Sequence, residues 1–296
     1  MILRLRERVL ELGDGPLIAG IVNIGEDSVA ERLHLRTLGE QLAYARSQLD
    51  LGAHIVDVGV QSGRTDTATI SEEEELERLA PLVRALAAQR VPVSVETWRP
   101  AVAAGVLQAG AAIINDVSGL ADPALADLAA ESGAALVVMH TRARPKEERF
   151  PDYADPMADV LEFLGERCAL AREHGVEDSQ LILDPGLDFA KTPAQSVEVL
   201  RRLHELKAFE RPVLLAVSRK YFIGVLTAKT PEERLAGTLA ALEYGIAQGA
   251  QILRVHDVGA VVEFLDVRGA LHGSGEPKMK GDPAAVELKW LDAKSA

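Results

Sequence analysis

Two basic segments carry the side chains best suited to chemistry in this chain, namely Ser218-Arg219-Lys220 and Arg254-Val255-His256-Asp257. Each ends or follows a short apolar run, 212 to 217 in the first case and 251 to 255 in the second. The carboxyl ends of parallel strands meet at one face of an α/β protein, where phosphate groups commonly bind. We therefore predict an anion-binding site at these strand ends.

Other polar side chains follow further apolar runs and would share the same face. Asn115, Asp184 and Lys220 together offer an amide, a carboxylate and an ammonium group. Such a set suits a flat heterocycle, because a carboxylate accepts two N–H bonds from an aminopyrimidinone while the amide binds a ring nitrogen. Two alternatives stay open: Asp184 could cap a helix or form a salt bridge, and Asn115 with Asp116 could form only a turn after the strand.

A second group of residues fits a pyrophosphate. Arg254, His256 and Arg64 would clamp the anion, because guanidinium groups match phosphate geometry. Asn23 supplies an oxygen ligand for Mg²⁺, which uses few protein ligands when phosphates supply the others. The alternatives are an internal bridge from Arg254 and His256 to Asp257, and a solvated surface charge for Arg64.

Charge and cysteine content narrow the class of protein. A net charge of −13 and a pI near 5.1 over 296 residues argue against nucleic-acid or anionic-membrane partners. The single cysteine, Cys168, can form no internal disulfide, so we expect an inert packed thiol and a reducing compartment. Neither a signal peptide nor an apolar stretch of about 18 residues is visible, so we expect a cytoplasmic protein without a membrane span.

The elements that must position these side chains alternate along the chain. Short β-branched runs alternate with longer, helically periodic segments, which predicts a single-domain (β/α)8 TIM barrel over residues 1–272. A doubly wound open sheet is the alternative, although it lacks a glycine-rich dinucleotide loop. Residues 1–15 are expected to form a hairpin at the barrel bottom, and 273–296 a partly ordered tail. The predicted strands are 17–23, 53–59, 92–96, 111–116, 134–139, 180–184, 212–217 and 251–255. The predicted helices are 36–51, 71–90, 98–109, 122–132, 156–174, 193–206, 231–248 and 258–271.

Taken in order, these motifs resemble the dihydropteroate synthase family of pterin-binding barrels, over about residues 17 to 272. The resemblance rests on the following segments: Gly20-Ile-Val-Asn23 with Asp27-Ser28, Asp57-Val-Gly59, Ile114-Asn-Asp-Val-Ser-Gly119, Met139-His140, Asp184-Pro-Gly186 with Phe189 and Lys191, Ser218-Arg-Lys220 with Phe222-Ile-Gly224, and Arg254-Val-His-Asp-Val258.

The resemblance implies an activity and a role for each site residue. Family members condense dihydropterin-CH2-pyrophosphate with p-aminobenzoate to dihydropteroate and pyrophosphate, a step of folate biosynthesis that uses Mg²⁺. It also suggests a homodimer, which apolar faces near 231–248 and 258–271 would support. By carry-over, Asp57, Glu96, Asn115, Asp184 and Lys220 would bind the pterin, with Met139 and Phe189 packing beside it; Ser218 and Arg219 would adjoin the p-aminobenzoate; Asn23 would bind the metal; and Arg64, Lys220, Arg254 and His256 would act on the departing pyrophosphate.

Two loops and two single residues depart from the family pattern. The first loop reads Asn23-Ile-Gly-Glu-Asp-Ser28, the second reads 61–66 without the usual threonine, Glu96 stands where the family has aspartate, and Asp188 replaces a glycine. Besides the synthase, two functions therefore stay open: a pterin-binding paralogue with altered or lost synthase activity, and a methyltetrahydrofolate-binding methyltransferase domain.

Overall fold

The chain begins with an antiparallel hairpin, formed by β1 (Ile2–Leu5) and β2 (Arg8–Glu11). The structure is a computed structural model that describes residues 1–13, 15–25, 35–60, 69–273 and 280–281. Leu3, Leu5 and Leu12 of this segment are buried against the first residues of the barrel strands, such as Ile55 and Ile252. The hairpin therefore closes the bottom of the barrel, as the sequence predicted.

Eight parallel strands follow in one sheet. Along the sheet their order is β8-β7-β6-β5-β4-β3-β10-β9. A bridge between Leu183 and Val213 joins β8 to the segment that leads into β9, so the sheet closes into a barrel. The predicted TIM barrel is confirmed. The strands are β3 (Leu17–Asn23), β4 (Ile55–Gly59), β5 (Val93–Glu96), β6 (Ile113–Asp116), β7 (Ala135–Met139), β8 (Leu181–Asp184), β9 (Leu214–Leu215) and β10 (Ile252–Val255).

Helices cover the outside of the barrel. All eight predicted helical segments contain a helix, but the sequence analysis did not predict α7, which is short and rich in β-branched and aromatic residues. The helices are α1 (Leu38–Asp50), α2 (Glu72–Ala88), α3 (Pro100–Ala109), α4 (Ala124–Ser132), α5 (Pro156–Glu173), α6 (Pro193–Arg201), α7 (Tyr221–Thr227), α8 (Leu235–Gln248) and α9 (Val258–His272); 3-10 turns span Asp178–Gln180, Leu203–Phe209 and Pro231–Glu233.

Two hydrophobic clusters hold these layers together. The larger lies between the strands and the helices and includes Val58, Leu82, Val106 and Leu164, while the smaller fills the barrel interior above the hairpin. Each fully buried Val or Leu side chain contributes about 1.5 to 3 kcal/mol to stability. Cys168 belongs to the larger cluster, and its burial raises the pKa of the thiol to about 11, which fits the inert thiol that we expected.

Some expectations cannot be compared with the structure. Most of the predicted tail lies outside the described residues, and so do the second loop at 61–66, Arg64 within it, and the Asp27-Ser28 motif. Within the described ranges, none of the helices has the length and apolar character needed to cross a membrane.

Candidate active site at the carboxyl ends of the strands

The predicted site residues gather at the carboxyl ends of the barrel strands, except for Arg64, which the structure does not describe. The register places Glu96 beside Asn115, and Met139 beside Asp184. Each is the last or next-to-last residue of its strand, so all four lie at the level of the barrel mouth. The side chain of Met139 is buried. The parallel barrel therefore delivers side chains from distant parts of the chain to one face.

Asp57 is the centre of a buried polar network that crosses the mouth. Its Oδ1 accepts hydrogen bonds from Ser94 Oγ at 2.5 Å and from Asn115 Nδ2 at 3.2 Å. Its Oδ2 pairs with Arg254 Nε at 2.6 Å. The same guanidinium reaches Glu96, with 2.6 Å between Nη2 and Oε2. Arg254 thus joins two carboxylates in the described structure, and the predicted alternative of a bridge to Asp257 is wrong.

Asp184 and Lys220 form the second part of the site. Asp184 Oδ1 accepts a hydrogen bond from Gly186 N at 2.7 Å, while Oδ2 has no hydrogen-bond partner among the described residues. Lys220 Nζ lies 4.3 Å from the ring centroid of Phe189, and this ammonium makes no hydrogen bond to a described residue. Both a carboxylate oxygen and a cationic donor therefore remain for a ligand. The hydrogen bond to Oδ1 is a turn contact, and neither the helix cap nor the salt bridge of the alternative is among the described contacts of Asp184.

Asn115 and Asp116, adjacent in the chain, have different roles. Asp116 is buried and accepts hydrogen bonds from Ser118 N at 2.7 Å and Leu120 N at 2.5 Å, so it shapes the turn after β6. Asn115 instead donates into the mouth, to Asp57. The turn alternative therefore applies to Asp116 and not to Asn115.

A third group lies beyond β9 and β10. Ser218 Oγ lies 2.9 Å from His256 Nδ1 and accepts a hydrogen bond from His256 N at 3.2 Å. Arg219 binds Asp257 through two nitrogens, with Nε 3.0 Å from Oδ2 and Nη2 2.6 Å from Oδ1. Arg219 also has a left-handed backbone, with a φ of 57°. These contacts fix the Ser-Arg-Lys segment against the end of β10.

Neighbouring residues stabilise the left-handed backbone of Arg219. A φ in this range is uncommon for a residue with a side chain, and the turn is held by two hydrogen bonds. Arg219 N donates to Thr238 Oγ1 at 3.0 Å, and Arg219 O accepts from Arg234 Nη1 at 2.9 Å.

Asn23 ends β3 at the same face. Its Oδ1 accepts a hydrogen bond from Gly25 N at 3.1 Å, which turns the chain away from the strand. A carbonyl oxygen has two lone pairs, so Oδ1 keeps one for a hard cation. Among the described residues, no cluster of three or more His, Cys, Asp or Glu side chains could hold a metal by itself. The donor set thus fits Mg²⁺ only when a phosphate-bearing ligand completes its coordination.

Burial changes the ionisation of the groups in the mouth. It raises the pKa of Glu96 and of Asp184, which neighbouring cations partly oppose: Arg254 and Lys220 for Glu96, Lys220 and Lys191 for Asp184. Burial also lowers the pKa of Lys220. It lowers the pKa of His256 to about 3, with help from the positive charge of Arg254, so this imidazole is neutral. His256 can therefore bind an anion as a hydrogen-bond donor but not as a cation.

The sequence analysis gave no role to several polar residues beside the site. Ser94 binds Asp57, and a buried chain links Lys191, His140 and Asp159. Lys191 and His140 belong to the segments that resemble the family, and that resemblance was the signal in the sequence that could have indicated a role for them. Asp188 accepts hydrogen bonds from Phe222 N and Ser196 Oγ, both at 3.2 Å, and its negative charge acts on Lys220 at the site.

Comparison with known proteins gives a consistent result. The family described as "Pterin binding enzyme" matches residues 19–256. A dihydropteroate synthase of Synechocystis sp. is 39% identical over 269 residues, covering 90% of this chain and 93% of that protein. The solved structure of a Xanthomonas albilineans dihydropteroate synthase with 4-aminobenzoic acid has a TM-score of 0.85 at 36% identity, covering 93% of this chain and 100% of the other. The same enzyme with 7,8-dihydropteroate gives a TM-score of 0.81 at 36% identity, covering 93% and 99%.

Proposed function

This chain belongs to the family of pterin-binding enzymes, and we infer that it acts as a dihydropteroate synthase. It joins dihydropterin-CH2-pyrophosphate to p-aminobenzoate. The bond between the methylene carbon and the pyrophosphate oxygen breaks, and a bond from that carbon to the arylamine nitrogen forms. The nitrogen then loses a proton, and the products are dihydropteroate and pyrophosphate. The relatives support this activity, since proteins with that name match nearly the whole chain.

One observation carries the proposal, namely that Asp184 Oδ2 and Lys220 Nζ both lack partners among the described residues at the same barrel mouth. A carboxylate oxygen on a buried residue such as Asp184, and a half-buried ammonium such as that of Lys220, are costly to leave without hydrogen bonds. A pterin ring satisfies both, because its aminopyrimidinone edge donates to the carboxylate and its ring acceptors face the ammonium. Asn115 adds a neutral amide, which can bind either a ring N–H or a ring nitrogen.

Catalysis in this site would depend on stabilising separated charge. When pyrophosphate leaves, positive charge develops on the methylene group and is shared with the pterin, while negative charge grows on the leaving oxygen. The carboxylates of Asp57, Glu96 and Asp184 lie at the mouth with the cations of Arg254 and Lys220. Fixed charges of this kind stabilise a transition state without reorganising solvent. No proton-transfer base is needed for the first step.

The pyrophosphate side of the site would use Asn23, Arg254 and His256. Mg²⁺ bound by Asn23 and the phosphates would neutralise charge on the leaving group. Arg254 is held by Asp57 and Glu96, so its guanidinium is oriented before the substrate arrives. His256 is neutral and lies against Ser218, which leaves Nε2 as its second polar atom.

The arylamine would bind beside the Ser-Arg-Lys segment. Ser218 and Arg219 follow β9, and Lys220 lies over the ring of Phe189. A flat aromatic amine can stack in such a place while its carboxylate approaches a cation or hydroxyl. We further propose a homodimer formed by exposed apolar side chains of α9, and a cytoplasmic location, which fits the single buried thiol of Cys168.

The test is pyrophosphate release from dihydropterin pyrophosphate and Mg²⁺, measured with and without p-aminobenzoate. Release that depends on p-aminobenzoate, together with formation of dihydropteroate, is the expected result. Binding of the pterin without release would instead favour a pterin-binding protein that has lost synthase activity, the alternative that Glu96 keeps open. Absence of pterin binding would refute the proposed function altogether.

A further inference from the structure

Lys191 is a buried cation that the reaction described above does not use. Its side chain is only 1% exposed, and it ends the loop between β8 and α6. Burying a charge costs several kcal/mol unless hydrogen bonds and opposite charges compensate, so a lysine in this position requires specific partners.

The partners of Lys191 match the three protons of an ammonium group. Nζ lies 2.6 Å from His140 Nδ1, 2.9 Å from Gly186 O and 3.2 Å from Phe189 O. A neutral amine would have one proton too few for these three acceptors. Burial lowers the pKa of Lys191 to about 7, while the negative charges of Asp184 and Asp159 act in the opposite direction.

His140 is held as an acceptor for this lysine. Its Nε2 lies 2.7 Å from Asp159 Oδ1, and Asp159 is in turn bound by Arg142 Nε at 2.9 Å. Burial and the charge of Lys191 lower the pKa of His140 to about 3, so the ring carries one proton. Because Asp159 accepts that proton from Nε2, the lone pair is on Nδ1 and faces Lys191.

These contacts join the β8 loop to the end of β7. The loop begins at Asp184 and carries Phe189, whose ring contacts Lys220. Gly186 has a φ of 63°, and a Cβ there would come within 1.9 Å of His140 O. The loop therefore packs directly against the end of β7. Lys191 binds it there through two loop carbonyl oxygens, those of Gly186 and Phe189.

We propose that Lys191 is a positioning residue for the pterin site, which clamps the β8 loop against His140 and so fixes Asp184 and Phe189. Lys191 does not touch the substrate. The inference rests on the proposed function, because it concerns binding of the pterin ring. The contact between Lys191 and His140 thereby sets the position of Asp184 Oδ2, the oxygen that remains for the pterin.

The first experiment compares Lys191→Met with the wild type by calorimetry, using two probes. Hydroxymethylpterin reports on the pterin half of the site, and inorganic pyrophosphate with Mg²⁺ reports on the other half. We expect the variant to bind hydroxymethylpterin at least tenfold more weakly and pyrophosphate within twofold of the wild type. Lys207→Met, at the opposite end of the barrel near Gly249, is the matched control and should change neither.

Two outcomes would overturn the inference, and they separate it from the proposed function. A folded Lys191→Met protein with unchanged hydroxymethylpterin affinity refutes the clamp alone. Equal losses for both probes refute it as well, because they would show a general effect on stability. A wild-type protein that binds no pterin refutes the proposed function together with this inference.

A pair of His140 variants keeps the inference testable if Lys191→Met does not fold. Asparagine places an amide oxygen near the position of Nδ1, and glutamine places its amide near Nε2. His140→Gln should therefore weaken hydroxymethylpterin binding at least threefold more than His140→Asn does. Equal effects of the two substitutions would show that the contact between Nδ1 and Lys191 does not support the site.

Discussion

Arg254 Nη2 lies 2.6 Å from Glu96 Oε2, so the cation expected to bind pyrophosphate is paired with the residue that departs from the family pattern. The pair joins β10 to β5 across the barrel mouth. The family resemblance implies that Glu96 binds the pterin. Its longer side chain instead contacts the guanidinium, which shares its charge between Glu96 and Asp57.

Shortening the side chain of Glu96 should raise kcat/KM or the affinity for the pterin. Aspartate withdraws the carboxylate by about 1.5 Å, one carbon–carbon bond, which frees part of Arg254 for pyrophosphate. Glu96→Asp should therefore raise kcat/KM or pterin affinity by up to about tenfold, equivalent to ~1.4 kcal/mol. Steady-state kinetics with the pterin substrate would compare kcat/KM of the variant with that of the wild type. A tenfold fall would show that the site is built around glutamate and would favour a ligand other than the usual pterin.

Asp184→Asn should abolish pterin binding. The substitution replaces an acceptor-only carboxylate by an amide, so one N–H of the pterin loses its acceptor and a charge-assisted hydrogen bond is lost. Calorimetry with hydroxymethylpterin measures the change. Asp188→Asn is the matched control, since that carboxylate lies in the same loop but binds Phe222 N and Ser196 Oγ. Unchanged affinity in a folded Asp184→Asn protein would reduce Asp184 to a turn residue.

Stability should fall in mild acid because of His140. The pKa of this imidazole is lowered to about 3 in the folded protein, from an ordinary value of 6.5. Below pH 6.5 the unfolded chain therefore binds a proton that the folded protein does not, and stability is lost at up to about 1.4 kcal/mol per pH unit. Urea unfolding at pH 7 and pH 5 should show a smaller loss for His140→Asn than for the wild type.

The control for this measurement is His174→Asn, which replaces a histidine bound to Asp127 at the surface. It shows how far the loss of a surface histidine, rather than of a buried one, changes the difference between the two pH values. If His140→Asn leaves that difference unchanged, His140 is protonated in the folded protein, and its assignment as an acceptor for Lys191 fails as well.

The proposed dimer depends on apolar side chains of α9. Val267 and Leu271 are 61% and 77% exposed, and burying them between two subunits would stabilise association. Light scattering at micromolar concentration should give twice the 31.8 kDa of one chain. Leu271→Glu should lower the mass to that of a monomer, whereas Val9→Glu on the hairpin should not. A monomer mass for the wild type would contradict the dimer.

The strands could be predicted because each is a short apolar run bounded by polar residues. The end of each run also located Asn115, Asp184 and Lys220 at the mouth. The helix α7 was missed, since Phe222, Ile223 and Val225 favour strands locally and only the surrounding packing makes them helical. The local pattern of residues predicts where an element lies. It does not show where tertiary packing imposes a helix on residues that favour a strand.

The pairing of charges could not be predicted. Arg254 and Asp57 are 197 residues apart, and nothing in the sequence states which strands face each other across the barrel. The alternative partner that the sequence offered for Arg254 was the nearby Asp257, which binds Arg219. The closed sheet instead brings the distant Asp57 and Glu96 to Arg254.

The barrel is closed most weakly beside its own active site. Within the described strands, β8 and the segment before β9 are joined by the Leu183–Val213 bridge, whereas β3 and β4 pair over five residues. The strand on one side of this seam ends at Asp184, and the strand on the other leads to Ser218 and Lys220. Because few backbone hydrogen bonds cross this seam, side-chain contacts such as that of Asp188 Oδ2 with Phe222 N, at 3.2 Å, align the two halves of the substrate pocket.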